Sequence, residues 1–92
     1  MKNKVALTGF WSDALQLPTH YGIKLYYNNP NFEVRIVDFN KPITEEIFNL
    51  SKTTSPYVLP ISNNFSHINY TFSFRKTNND DVEIEYELWT PG

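Results

Sequence analysis

The sequence predicts one small antiparallel domain, α+β or mainly β, built as a sheet or sandwich of about six strands with one short helix in the order β-β-β-α-β-β-β. Three observations predict it. Apolar and polar residues alternate with a period of two over much of the chain. Breaks rich in Asn, Pro and Asp separate the alternating runs. Only one stretch combines helical apolar spacing with a capping residue in front of it. With 92 residues and no cysteine, the chain has material for a single core, one domain over 1–92, and no disulfide framework.

Lys4 to Phe10 reads as a first strand, and Trp11 to His20 as a long irregular connection in which Pro18 forbids a continuous helix. Tyr21 to Tyr27 and Phe32 to Phe39 flank Asn28-Asn29-Pro30-Asn31, which predicts a hairpin. In its second strand Val34 and Ile36 share one face while Val37 and Phe39 share the other, as in a central strand covered on both sides. The helix is expected from Thr44 to Lys52, with Thr44 as N-cap, Glu45 and Glu46 in the first turn, and Ile43, Ile47 and Leu50 as the buried stripe.

Pro56 and Pro60 make Tyr57-Val58-Leu59 an edge strand. Ile68 to Arg75 and Val82 to Trp89 alternate around Thr77-Asn78-Asn79-Asp80-Asp81, a C-terminal hairpin with one apolar and one polar face. Opposing Arg75 and Lys76 to Glu83 or Asp81 would add only about 0.2–1 kcal/mol, so the apolar face sets the register. The expected core is Tyr70, Phe72, Phe74, Ile84, Tyr86 and Leu88 against Ile23, Leu25, Val34, Ile36, Ile47 and Leu50. Sequential antiparallel pairing is the simplest topology, because crossover helices for parallel pairing are missing.

The net charge of −2 and isoelectric point near 5.5 argue against direct nucleic-acid binding, which needs a Lys/Arg surplus. Thr8, Ser12 and Asp13 interrupt the apolar stretch behind Lys2 and Lys4, so there is no secretory core segment, and no run approaches the roughly 20 residues of a membrane span. A cytoplasmic protein without a membrane partner is expected. The sequons at Asn49, Asn64 and Asn69 are chance products of a chain with eleven asparagines.

Two histidines and no cysteine offer no metal-ligand spacing, and no cofactor is expected. Three glycines exclude phosphate-binding loops, and no serine sits in a Gly-x-Ser-x-Gly elbow. The carboxylate pairs Glu45/Glu46 and Asp80/Asp81 are sequence neighbours whose side chains diverge.

Two features point to contact rather than catalysis. Glu83, Glu85 and Glu87 form an acidic row on one face of the last strand, about 6.6–6.8 Å apart, extended by Asp80 and Asp81. It suits an inhibitor that occupies a basic groove, or simply the wet side of a sheet. Trp11, Tyr21, Tyr26, Tyr27, Tyr57 and Trp89 exceed what so small a core absorbs, and Tyr26 and Trp89 fall on polar faces. The reading is a non-enzymatic protein-binding module, acting by self-association or by blocking a protein partner, with Trp11, Tyr26, Glu83, Glu85, Glu87 and Trp89 as binding residues. One alternative is a small hydrolase or nuclease using His20 and His67 as acid and base. The other is a carbohydrate-binding module using the exposed Trp and Tyr rings.

Overall fold

The computed structural model describes residues 2–18, 21–39, 42–59 and 70–89. These residues hold eight strands and no helix: β1 (Asn3–Ala6), β2 (Leu15–Leu17), β3 (Gly22–Tyr27), β4 (Phe32–Asp38), β5 (Thr44–Asn49), β6 (Tyr57–Leu59), β7 (Tyr70–Lys76) and β8 (Glu83–Trp89). They form two four-stranded antiparallel sheets, β1-β8-β3-β6 and β2-β7-β4-β5. Strands pair as though the chain were doubled back on itself, β1 with β8, β2 with β7, β3 with β6 and β4 with β5. The doubled ribbon then curls so that β3 also meets β8 and β4 also meets β7. This is the winding of a jelly roll. Among the described residues no helix is long and apolar enough to cross a membrane.

The expected mainly β, antiparallel architecture is present, but neither predicted hairpin is. β7 and β8 lie in different sheets, as do β3 and β4, and only β4 and β5 are both consecutive and paired. The reason is geometric. A strand with one apolar face can bury it beside a neighbour in one sheet or across the roughly 10 Å between stacked sheets, and both use the same alternation. The connection at Asn28–Asn31 therefore arches from one sheet to the other. Its Asn28 side chain donates from Nδ2 to the Asp81 carbonyl at 3.2 Å and accepts from the Glu83 N–H at 2.9 Å, which ties this arch to the one between β7 and β8. Thr77 N–H completes the tie by donating to the Asn31 carbonyl at 3.0 Å.

The predicted helix is strand β5, which corrects the count from six strands and a helix to eight strands. Thr44, the expected N-cap, pairs with Asp38, and the ladder runs on through Ile47 opposite Arg35 to Asn49 opposite Glu33. Phe48 and Leu50, two apart, turn inward, and Ile47 points outward and is 43% exposed. A helix this short has little stability of its own, whereas β4 has a free edge that a further strand satisfies. The expected irregular stretch also contains β2, and the first strand ends at Ala6. Tyr57–Leu59 is an edge strand and β4 a central one, as the prolines and the two-sided apolar pattern predict.

The core lies between the sheets and contains Ile23, Leu25, Val34, Ile36, Leu50, Tyr70, Phe72, Phe74 and Ile84 as expected, with Leu7, Leu17, Phe32, Leu59 and Val82 added. Tyr86 is only partly buried and Leu88, with Ile47, is exposed, so these three are corrections to the expected core. Phe72 and Tyr86 meet edge-on across the sandwich with centroids 5.3 Å apart, and Tyr27 meets Phe32 in the same manner at 5.2 Å.

Candidate functional site

Strand β8 runs through the middle of its sheet, so period-two alternation sends Glu83, Glu85, Glu87 and Trp89 to the outer face. Register with β3 sets Tyr26 beside Glu85, Lys24 beside Glu87 and Gly22 beside Trp89. Register with β1 sets Lys4 beside Glu85 and Ala6 beside Glu83. Val58 of β6 stands beside Lys24. Five of the six predicted binding residues therefore share one sheet face: Tyr26, Glu83, Glu85, Glu87 and Trp89.

The chemistry of this face is graded along β8. Near Glu87 it is internally compensated: the Tyr26 hydroxyl donates to Glu87 Oε1 at 3.1 Å, while Lys2 Nζ and Lys24 Nζ lie 4.1 and 5.6 Å from the Tyr26 ring centroid. These cations hold the ring by its π-face. At the other end Glu83 has Ala6 on one side and the Asn28 arch on the other, and no cation opposite it in register. The two ion pairs within 4.0 Å among the described residues, Arg35–Glu45 and Arg75–Glu33, are both on the other sheet.

A groove of about 610 Å³ opens at the Glu83 end. Its lining includes Glu83 and Glu85 of β8, Lys4 and Ala6 of β1, Tyr26 of β3, and Asn28 and Ser55. Ser55 is fixed there because its Oγ accepts the Tyr27 N–H at 3.1 Å, just before the cis Ser55–Pro56 peptide bond. At the far end Trp89 lies over Gly22, where an added Cβ would come within 3.3 Å of the indole Cε3. The indole is 39% exposed.

Trp11 is not part of this face. The connection between β1 and β2 runs as a strap along the edge of β7 beyond β2: Ser12 N–H donates to the Phe74 carbonyl at 2.8 Å, Phe74 N–H donates to Ser12 Oγ at 2.9 Å, and Lys76 N–H donates to the Thr8 carbonyl at 2.9 Å. The indole is half-buried against the guanidinium carbons of Arg35 and Arg75, 4.5 and 4.4 Å from the ring centroid. Arg75 Nε also donates to Glu33 Oε1 at 2.9 Å, replacing the expected pairing of Arg75 with Glu83 or Asp81. Ser73, between these side chains in register, is buried although it points away from the core.

Residues that the sequence reading did not single out for the β8 face are Lys2, Lys4, Asn28, Ser55 and Val58. Lys2, just before β1, and Lys4 within it are a visible alternation, but their proximity to the glutamates follows from β1 pairing with β8, which no local pattern encodes. His20 and His67, on which the hydrolase or nuclease alternative rests, lie outside the described residues. Comparison with protein-family models, with curated proteins and with solved structures gives no match.

Proposed function

We propose that this chain is a non-enzymatic protein-binding module whose contact surface is the outer face of the β1-β8-β3-β6 sheet, used to block a protein partner. The supporting observation is one sheet face that carries Glu83, with no cation opposite it in register, Glu85 and Tyr26 around a 610 Å³ groove, and the exposed Trp89 at its other end. Carboxylates there accept charge-assisted hydrogen bonds from a partner's Lys or Arg, and the Glu83 end, with Asp80 and Asp81 just before it in the chain, favours a basic surface during encounter. The rigid rings serve as anchors of low conformational cost. The carbohydrate alternative draws less support, because the Trp11 ring lies against Arg35 and Arg75 on the other sheet, apart from this face.

The test is capture of partners by the purified chain, followed by titration of the captured protein in purified form. The triple variant Glu83→Gln, Glu85→Gln, Trp89→Ala should bind at least about tenfold more weakly, the size of a hot-spot loss, with an unchanged circular dichroism spectrum. Wild-type binding should weaken as salt is raised. Equal capture by both forms, or no protein held by the wild type, overturns the proposal.

A further inference from the structure

We infer that β5 is a pairing edge for a second copy of this chain, joined antiparallel about Ile47 so that the β2-β7-β4-β5 sheet continues across a twofold axis. This inference rests on β5 alone and not on the acidic face of the other sheet.

Each sheet has two edges, and three of the four edge strands, β1, β2 and β6, are only 4, 3 and 3 residues long. β5 is 6 residues long and exposed at every position except Phe48. An unpaired edge of this length presents N–H and C=O groups ready for another strand. Phe39, Ile43 and Ile47, exposed by 50%, 62% and 43%, gather on and beside the same strand. Exposed apolar clusters of this kind mark contact surfaces.

The charges on β5 select its occupant and register. Extending the sheet with its core-facing side in phase requires directly opposite residues to share a face. Glu46 stands opposite the buried Ile36 and so faces inward at the edge, a charge that rejects any strand placing a carboxylate against it. A self-pairing centred on Glu46 does that to itself. One centred on Phe48 pairs only residues 47–49 of each strand. Centred on Ile47, the pairing uses 45–49, sets Ile47 on Ile47 at the axis, Glu45 against Asn49 and Glu46 against Phe48, and brings no two carboxylates opposite one another. A net charge of −2 per copy opposes such an isologous contact only weakly.

The absence of cysteine makes single-cysteine variants a direct probe. Antiparallel partners lie about 4.5–5.5 Å apart between Cα atoms, within disulfide range. Residues 45 and 45 of the two copies would be offset by four positions, roughly 13 Å. Under mild oxidation Ile47→Cys should form a linked dimer about tenfold faster than Glu45→Cys at equal concentration, reflecting a raised effective concentration. Glu45→Cys mixed with Asn49→Cys should also link. Sedimentation of the wild type at roughly millimolar concentration, the range of weak association, should show a dimer that Ile47→Lys abolishes while keeping the fold. The triple variant of the acidic face should dimerise like the wild type, so loss of partner binding and loss of self-pairing are separable. A monomer at that concentration, or equal linking rates for the 47 and 45 variants, overturns the inference.

Discussion

Replacing Trp11 by alanine tests whether the strap along β7 holds the fold together. The indole touches two guanidinium groups at 4.5 and 4.4 Å, and each such contact contributes about 0.5–1 kcal/mol at a partly exposed site. Removing about 100 Å² of half-buried indole surface costs a further 2.5 kcal/mol or so, at roughly 25 cal/mol per Å². Because the site is half-exposed and the Arg35 and Arg75 side chains can shift into the vacated space, part of this loss relaxes, and the expected destabilisation is about 3 kcal/mol. That is a large share of the roughly 5–15 kcal/mol available to a domain. Trp89→Ala, at a residue 39% exposed and packed over Gly22, should cost only about 1 kcal/mol. Urea unfolding followed by circular dichroism gives both values on one scale, and a Trp11/Arg75 double-mutant cycle should return a coupling of about 0.5–1 kcal/mol. If Trp11→Ala lies within about 1 kcal/mol of Trp89→Ala, the strap carries no such role and Trp11 returns to the list of free contact residues.

Two further substitutions probe elements where local pattern and fold diverge. Ile36→Ala, at a fully buried position of β4, should cost about 2–5 kcal/mol, whereas Ile47→Ala, exposed on β5, should cost under about 1 kcal/mol when measured by denaturant unfolding at a concentration too low for self-association. Comparable costs would restore Ile47 to a buried helical stripe. Asn28→Ala removes that residue's two side-chain bonds across the arches, leaving the one from Asn29 Nδ2 to Asp80 Oδ2, and should destabilise by about 1–3 kcal/mol, with faster exchange of the Glu83 amide proton in hydrogen-exchange measurements. An unchanged Glu83 exchange rate would show that the arches are held by other contacts.

The candidate face shows how far local pattern carries. Tyr26, Trp89 and the three glutamates are outward-facing by alternation alone, and they are outward-facing in the fold. That Tyr26 hydrogen-bonds Glu87, or that Lys2 lies against Tyr26, depends on β8 sitting between β1 and β3, strands more than 55 residues away in the chain for the phenol contact. Trp11 illustrates the opposite case. Its size and position in a polar loop suggest a contact residue, yet two arginines from β4 and β7 converge on it, and nothing in the sequence around Trp11 refers to them.

The sequence by itself determined which side of each strand is apolar, because alternation is a property of the extended backbone and needs no partner. It thereby determined the buried faces of β3, β4, β7 and the first half of β8, and the wet face that carries the acidic row. Which faces meet is set by the assembled fold. β7 and β8 bury Phe72 against Tyr86 across the sandwich rather than side by side, and the helix-patterned stretch from Thr44 lies along the free edge of β4 as β5. Burying two apolar sheet faces against one another and filling a free backbone edge are gains of the assembled molecule, and they outweigh the hairpin and helix preferences that each segment shows alone.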